Sequence, residues 1–232
     1  MKSRRNGDWP VLLASGLLAS AGIATARAQT ADCQPPKGPA IQIEAVDIHL
    51  EMRLAEGGKL RLRGIEAPRG TATNPQLAEA ARKFLTDRIS GLSPASRIEG
   101  STDRWGRRLA TVAAGASSLN WEVIAAGWAR VDPGDAEPAC LPELLQAVIS
   151  ARAAQSGIWA DPSYAVLDAE KRRDLQPISG QIVVAEGVVA SVGQWRSLTF
   201  LKFSQDRNTG FAAVLSRRLA AGLEKKGSPS PD

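Results

Sequence analysis

Residues 59–69, KLRLRGIEAPR, form the stretch on which the fold prediction rests. Leucines alternate with Arg61 and Arg63, the pattern of a strand that turns one face to a core and the other outward. A glycine and a proline then bracket Glu66, which indicates a bend. The stretch therefore predicts a strand that carries two arginines and leads into a turn holding one carboxylate.

A second stretch, residues 103–108 (DRWGRR), places Arg107 after a glycine and near Arg104 and Trp105. A planar guanidinium binds phosphate oxygens through paired donors and stays charged at any working pH. Two arginines and one carboxylate gathered by a small barrel would suit a phosphodiester with a bound cation. The alternative is a solvated basic face, which is common in globular proteins.

The positive charge of the chain is local rather than global. Without residues 1–28, which hold four basic residues and one acidic residue, the formal net charge falls from +5 to +2. Residues 59–108 alone carry eleven Lys or Arg against five Asp or Glu. This local excess says more about a polyanionic partner than the overall composition does.

The N-terminus has the layout of a secretory signal. Within residues 1–28, basic residues precede a short apolar run, and the segment ends on the small-residue triplet Ala-Arg-Ala. We expect cleavage there and an exported protein, periplasmic or secreted, with no membrane span after cleavage. The alternative is an uncleaved N-terminal anchor.

Two cysteines, Cys33 and Cys140, remain in the part of the chain beyond this signal. In an oxidising compartment such a pair predicts a disulfide, and no CxxC or His-rich spacing supports zinc. Two separate buried thiols are the alternative.

Hydrophobic periodicity predicts an alternation of strands and helices. Up to residue 162 the predicted order is a hairpin that begins with a strand over 41–54, a helix, two strands and two helices. This order fits a small closed barrel with helices at its side better than a doubly wound sheet. Beyond it we expect a connecting helix over 164–174 and strands over 182–192, 198–203 and 211–214.

Four motifs in order carry a resemblance: LRLRGIEAP, DRWGRRLATV, LNWEVIAAGWARV and SGIWADP. Together they resemble the thermonuclease family, whose domain is of the staphylococcal-nuclease type. The resemblance covers residues 41–162 and implies an α+β, mainly β fold: an OB-like five-stranded barrel with flanking helices. For active relatives it implies Ca²⁺-dependent cleavage of DNA and RNA phosphodiesters.

The predicted domain organisation follows from this resemblance and from the patterns around it. We expect a signal peptide at 1–28, an N-terminal arm at 29–40, the thermonuclease-like barrel at 41–162, a linker helix at 163–179, a smaller strand-rich accessory region at 180–224 and a disordered tail at 225–232. No oligomeric state is predicted.

The resemblance also assigns roles by position. Arg61 and Arg107 match the two family arginines that clamp the phosphate, and Glu66 falls where the family has a calcium-ligating aspartate. Such clamps stabilise the negative charge that builds on phosphorus as water attacks. Further candidates for contact with the substrate are Arg63, Arg69, Arg104 and Trp105.

Two positions depart from the family pattern. The place of the family's first metal carboxylate is Leu50, so Asp47 and Glu51 are the nearby candidates to hold a cation together with Glu66. The place of the general-base glutamate, directly after the proline, is Arg69, and a guanidinium cannot accept a proton from water. Either another group activates the water or hydrolysis by this route is lost.

Three functions are compatible with these residues. The first is an exported nuclease that hydrolyses DNA or RNA with a divalent cation, weakly because Arg69 replaces the base. The second is a catalytically inactive module that binds nucleic acid or another polyanion, which explains Arg69 more directly. The third is a structural envelope protein whose arginines only pair with acids such as Glu66.

Overall fold

The computed structural model describes residues 35–171, 179–204, 211–217 and 220–221, and within them it is a mixed α+β structure. The predicted signal at 1–28 and the predicted tail at 225–232 lie outside the described residues. None of the helices in the described ranges is long and apolar enough to cross a membrane.

The part of the chain up to residue 164 contains the candidate site. In chain order its elements are β1 Ile43–Val46, β2 Glu51–Leu54, β3 Lys59–Leu62, β4 Ile65–Glu66, α1 Leu77–Ile89, β5 Ala95–Glu99, β6 Arg107–Ala114, β7 Ser117–Ser118, α2 Leu119–Ala125, β8 Arg130–Val131, α3 Leu141–Ala153 and the 3₁₀ turns Gly157–Ala160 and Pro162–Tyr164.

One sheet organises these elements, with strand order β1-β2-β3-β6-β5 and β7 paired to β6. β3 and β6 run parallel, with Lys59 opposite Arg107 and Arg61 opposite Leu109, whereas the other pairs are antiparallel. A parallel pair needs a crossover, and α1 together with β5 supplies it. The short strand β4 pairs with β8 outside this sheet.

The two edges of this sheet approach each other just before β1. Ala40 forms an isolated antiparallel bridge with Ala95, and the Ile41 N–H donates to the carbonyl of Pro94 at 2.9 Å. A closed barrel is not detected in the described ranges, so the predicted barrel is found as a sheet whose edges meet at one bridge. The edge strand β1 is four residues long, and a bulge interrupts its pairing with β2.

The strand predicted over 41–54 is in fact two strands joined by a turn. The Asp47 carboxylate forms this turn by accepting the N–H of His49 at 2.9 Å and the N–H of Glu51 at 3.0 Å. Leu50 completes it with a φ of 58°, a conformation that usually requires glycine, and its side chain is buried. The alternation of apolar residues continues through the turn and therefore hid it.

The sequence pattern predicts helices between residues 74 and 91, 118 and 127, and 142 and 157, and α1, α2 and α3 are found there to within a few residues. The pattern also predicts that Leu144, Leu145, Val148 and Ile149 face inward, which is wrong for two of the four. In α3, Leu144 and Val148 are buried as expected. Leu145 and Ile149, which were also predicted to point inward, are 47% and 54% exposed. α3 packs on α2, β8 and the turn Gly157–Ala160, and Leu145 and Ile149 line a groove shared with residues 182–186.

The end of α2 meets the 3₁₀ turn after α3 at two glycines. A Cβ on Gly127 would lie 2.3 Å from a backbone carbonyl oxygen, and a Cβ on Gly157 would lie 2.2 Å from the carbonyl oxygen of Gly127. Both glycines have positive φ. This close approach lets Ile158 pack against Leu77 and Tyr164 in a small second core.

Beyond residue 164 the structure differs from the predicted connecting helix. Described residues 165–171 contain a short strand instead, because the Leu167 N–H donates to the carbonyl of Val184 and this tertiary pairing overrides helix propensity. The strands here are β9 Leu167–Asp168, β10 Ala185–Glu186, β11 Ser191–Trp195, β12 Leu198–Lys202 and β13 Ala212–Ser216. β9 pairs with β10 in parallel, and β11-β12-β13 form an antiparallel sheet.

Buried Asn120 supports the parallel pair from the side of α2. Its Oδ1 accepts the Val112 N–H at 3.1 Å, and its Nδ2 donates to the carbonyls of Arg63 at 2.8 Å and Ala110 at 3.2 Å. These backbone groups lie near the end of the β3–β6 pair. The amide thus gives the Val112 N–H and the Arg63 carbonyl a partner, and it adds a second donor to the Ala110 carbonyl, which already accepts the Arg63 N–H at 2.9 Å.

We expect Asn120→Ala to lower the free energy of unfolding by about 3 kcal/mol, because several buried backbone groups lose a partner. Urea denaturation followed by tryptophan fluorescence measures this loss. Gln146→Ala, an exposed amide on α3, is the matched control and should change stability by less than about 0.5 kcal/mol. A loss of less than about 1 kcal/mol for Asn120→Ala would contradict the bridging role.

Candidate nucleic-acid site

A cleft of about 320 Å³ lies beside β3 and β6, and we call it the arginine cleft. Five of its lining residues were predicted from the sequence to share one site, namely Glu51, Arg61, Glu66, Arg69 and Arg107. The other lining residues are His49, Leu50, Leu62, Ile65 and Ala67. The structure thus brings both predicted clamp arginines and the predicted acid around one cavity.

Strand pairing and one glycine explain this convergence. Arg61 lies on β3 and Arg107 begins the parallel neighbour β6. Gly64 then bends the chain with a φ of 72°, and a Cβ there would lie 3.0 Å from the Cα of Ala136. Because only glycine fits this bend, the chain can turn sharply and present Glu66 on β4 to the same cavity.

Arg61 is held by two carboxylates from the loop after β8. Asp135 forms an ion pair with one guanidinium nitrogen, and Asp132 Oδ2 lies 3.8 Å from the other. All three side chains are partly exposed. The charge of Arg61 is therefore largely balanced within the protein, and an external anion must compete with two carboxylates.

Arg107 is paired on both sides. Its Nη1 donates to Glu51 Oε1 at 2.6 Å, and its Nη2 lies 2.8 Å from Asp103 Oδ2. The hydrogen bond to Glu51 raises the pKa of Arg107. Desolvation would raise the pKa of Asp103, but hydrogen bonds from the backbone and side chain of Arg107 outweigh it and lower that pKa to about 2. This second guanidinium is also neutralised internally.

Glu66 is a largely buried carboxylate at the edge of the cleft. Its Oε2 lies 3.2 Å from Arg130 Nε but accepts no hydrogen bond within the described part of the chain. Burial raises the pKa of Glu66, while the positive charges of Arg130 and Arg69 and the backbone of Ile182 lower it. A nearby acid, Asp132, raises it further. Glu66 is thus part of an ion-pair group.

Arg69 presents its guanidinium from a fixed backbone. The Tyr164 hydroxyl donates to the Arg69 carbonyl at 3.0 Å and accepts the Arg69 N–H at 2.7 Å. The guanidinium of Arg130 lies over the same tyrosine ring, 4.9 Å from its centroid. The Arg69 side chain is exposed and lines the cleft, so it adds positive charge where the family pattern has a carboxylate.

Two predicted residues, Asp47 and Arg63, are not among those that line the arginine cleft. The Asp47 carboxylate is used by the turn between β1 and β2. Arg63 pairs with Glu99 and lies 3.0 Å from Glu137. Both side chains therefore have local structural partners.

Trp105 and Arg104 border the cleft rather than line it. Trp105 is 59% exposed. The guanidinium carbons of Arg104 and Arg107 lie 4.0 and 4.6 Å from its ring centroid. Cation–π contact with Arg107 therefore places an exposed indole next to one of the cleft arginines.

The acidic side chains around the cleft do not fit the calcium site that the resemblance implies. Over the described ranges, no group of three or more His, Cys, Asp or Glu side chains is arranged to hold a metal ion. Leu50, at the place expected for the first carboxylate, is buried. Glu51 and Glu66 are engaged by arginines, whereas calcium requires six to eight oxygen ligands.

Four residues of this site were missed by sequence reasoning: Arg130, Asp132, Asp135 and Tyr164. The loop had a local signal, the run DPGD at 132–135, whose Gly134 N–H donates to Asp132 Oδ1 in an Asx turn. Arg130 and Tyr164 had no local signal, because their partners lie far away in the chain. Tyr164, for example, is 95 positions from Arg69, which it contacts.

The predicted disulfide can be followed at one end only. Cys140 is the residue that precedes α3. Cys33 lies outside the described residues, so the pairing of the two cysteines stays a prediction.

We expect the pKa of Glu66 to lie above its ordinary value of 4.5 and to rise further in Arg130→Met, because the largest opposing charge is removed. Carbon-13 NMR of the side-chain carboxyl during a pH titration measures both values. A raised pKa means that folding favours the protonated form. This contribution to stability is present below the unfolded-state pKa and is lost as pH rises through the folded-state pKa.

Arg82→Met is the matched control for this titration. It removes an exposed cation that pairs with Glu79 on α1 and should leave the pKa of Glu66 unchanged. A Glu66 pKa below 4.5 in the unmodified protein would contradict the burial argument.

Comparison with known families agrees with the resemblance drawn from the motifs. Residues 59–161 match the family model described as staphylococcal nuclease homologue. This range begins with β3 and includes Arg61, Glu66, Arg69 and Arg107. No curated protein matches the chain. The chain therefore contains a domain of the staphylococcal nuclease homologue family.

Proposed function

We propose that this protein is nuclease-like and binds the phosphate backbone of nucleic acid in the arginine cleft, hydrolysing it only weakly. The observation that carries the proposal is the convergence of Arg61, Arg69 and Arg107 on one cavity. The family of the domain implies nucleic-acid binding. The proposal includes an OB-like barrel as the architecture of this domain and export to the periplasm or medium, directed by residues 1–28.

Binding proceeds by exchange of anions. The guanidinium groups of Arg61 and Arg107 offer the same forked donors to phosphate oxygens that they now offer to carboxylates. Asp132 and Asp135 are partly exposed, so they can return to water when a phosphate replaces them. Ion pairs with this degree of exposure cost little to break, because they are screened and partly solvated.

Arg69 explains why catalysis is weak while binding is retained. A general base must accept a proton from the attacking water, and a guanidinium has no such capacity. Its fixed charge attracts the polymer instead. Exposed Trp105, next to Arg107, offers a ring on which a base can stack beside the bound phosphate.

Polyanion binding with no hydrolysis at all is the second candidate function. Two observations favour it, the buried Leu50 at the place of the expected metal carboxylate and the incomplete cation site in the described ranges. A purely structural role for the arginines, the third alternative, differs from both because it requires no affinity for nucleic acid.

We expect Arg61→Gln and Arg107→Gln each to weaken binding of single-stranded DNA by about tenfold, because each removes one phosphate contact. Fluorescence anisotropy at several salt concentrations should also show the slope of log affinity against log salt reduced by about 0.7 per variant.

Arg53→Gln is the matched control for binding. It removes the same charge from β2, where Arg53 pairs with Glu44 and does not line the cleft. Equal weakening by all three variants would show that binding is non-specific, and salt-insensitive or absent binding would support the structural role.

We expect the unmodified protein to cleave single-stranded DNA far more slowly than a relative that has the first metal carboxylate and the general-base glutamate. The comparison is made in the presence of the Ca²⁺ that enzymes of this family typically use. Arg69→Glu should raise the rate, because it restores a proton acceptor at the cleft. Release of acid-soluble nucleotides measures the rate.

Arg69→Gln separates the two effects of this change. It removes the positive charge without adding a base and should therefore leave cleavage slow. No gain from Arg69→Glu in a folded protein would favour the second candidate, binding without hydrolysis.

A further inference from the structure

The sheet β11–β13 presents an aromatic face to solvent. Its register pairs Phe200 with Val214, and strand alternation places Trp195 and Lys202 on the same face. Trp195 is 58% exposed and Val214 is 52% exposed. Phe200 is half-buried. The opposite face holds buried Thr199 and half-buried Leu201 and Leu215, although Val192 and Gln194 on its β11 strand are exposed. The aromatic face is therefore the more exposed face of this sheet.

Gly193 leaves a gap in the middle of this face. It lies opposite Phe200 on the neighbouring strand and two residues before Trp195 on its own strand, so all three share one side. A Cβ at Gly193 would meet no atom within 4 Å. Its φ is not in the left-handed region, so the turn geometry does not explain the glycine. The space above Gly193, on the side that carries both rings, is therefore open.

The charge around this face has one sign. Described residues 191–204 and 211–217 contain Arg196, Lys202 and Arg217 and no Asp or Glu. The guanidinium of Arg196 lies 4.5 Å from the ring centroid of Trp195, and the Arg217 N–H bonds to the turn between β11 and β12 at the same end. Lys202 lies at the other end of β12, about 13 Å away. Cations at both ends of an aromatic face complement a ligand with planar rings and spaced negative charges.

We propose that this face, the β11–β13 platform, is a second binding surface for single-stranded nucleic acid. Bases stack on Trp195 and Phe200 over the gap at Gly193, and phosphates meet Arg196 and Lys202. The proposal rests on the proposed function of the arginine cleft, because the platform engages the same class of polymer. Stacking on aromatic rings is tolerant of base identity, and it requires bases that are not already stacked in a duplex.

Affinity for oligothymidylate and for a duplex of the same length tests this proposal, with the whole protein and fluorescence anisotropy as the readout. Trp195→Ala and Gly193→Leu should each weaken single-strand binding about tenfold, the first by removing a stacking ring and the second by filling the gap. Duplex binding should change less than twofold. Quenching of tryptophan fluorescence by the oligonucleotide should be reduced in Trp195→Ala.

Two matched variants keep the test specific. Trp195→Phe retains a ring and should retain most of the single-strand affinity. Val188→Ala removes an apolar side chain that is 74% exposed but precedes β11, and it should have no effect. Circular dichroism and thermal unfolding identify any variant that fails to fold. If Trp195→Ala fails to fold, the single variants Trp195→Phe and Gly193→Leu decide the question.

Failure of the platform and failure of the cleft give different results. Unchanged single-strand affinity in both Trp195→Ala and Gly193→Leu, while Arg61→Gln still weakens binding, overturns the platform and leaves the proposed function standing. No effect of any of the three variants overturns both. Unchanged DNA binding, together with Trp195-dependent binding to phosphatidylglycerol vesicles or Trp195-dependent dimerisation in sedimentation, also overturns the proposal by assigning this face to a membrane or to a second copy.

Discussion

The parallel pairing of β3 with β6 is the constraint on which the candidate site depends. It sets Lys59 opposite Arg107 and Arg61 opposite Leu109, so two arginines from distant parts of the chain flank one cleft. α1 and β5 provide the crossover that a parallel pair requires, and Asn120 bonds backbone groups near its end. The tight bend at Gly64 then adds an acid to the same place. The site is therefore a product of sheet topology rather than of any single motif.

A second property of the site is that its charges are already balanced. Arg61 faces two carboxylates, Arg107 faces two more, and Glu66 faces Arg130. This balance explains why a nuclease, a binding module and a structural protein were all compatible with the same residues. The three functions differ in whether an external anion can displace these carboxylates. A carboxylate that is partly exposed to water can separate from its arginine at small cost. Among the described arginines that line the cleft, Arg69 forms no ion pair, although its charge lowers the pKa of Glu66, and its guanidinium projects from a backbone fixed by Tyr164.

Predictions from the sequence were correct for features that depend on local residue patterns. They failed where contacts between residues far apart in the chain decide the structure. The strand that carries Arg61, the bend before Glu66 and the apolar spacing of the helices follow from periodicity and turn chemistry, and they are found. The turn at Leu50 was missed because its apolar alternation imitates a continuous strand. The short strand at Leu167 replaced a predicted helix because its backbone pairs with Val184. The carboxylates that neutralise Arg61 could not be assigned from residue type, since only the fold shows which acid reaches which arginine.

Residues beyond the family match support both Arg69 and Glu66, because the Tyr164 hydroxyl bonds the Arg69 backbone and the Ile182 backbone lowers the pKa of Glu66. The family match stops at residue 161, yet Tyr164 fixes the backbone of Arg69 and Ile182 lies against Glu66. A fragment cut at the homology boundary would lose both groups, and the acid at the edge of the cleft would gain access to water. The pKa of Glu66 and the orientation of Arg69 measured in such a fragment would then differ from those in the intact chain. The contacts that hold the cleft thus extend beyond the segment that sequence comparison identifies.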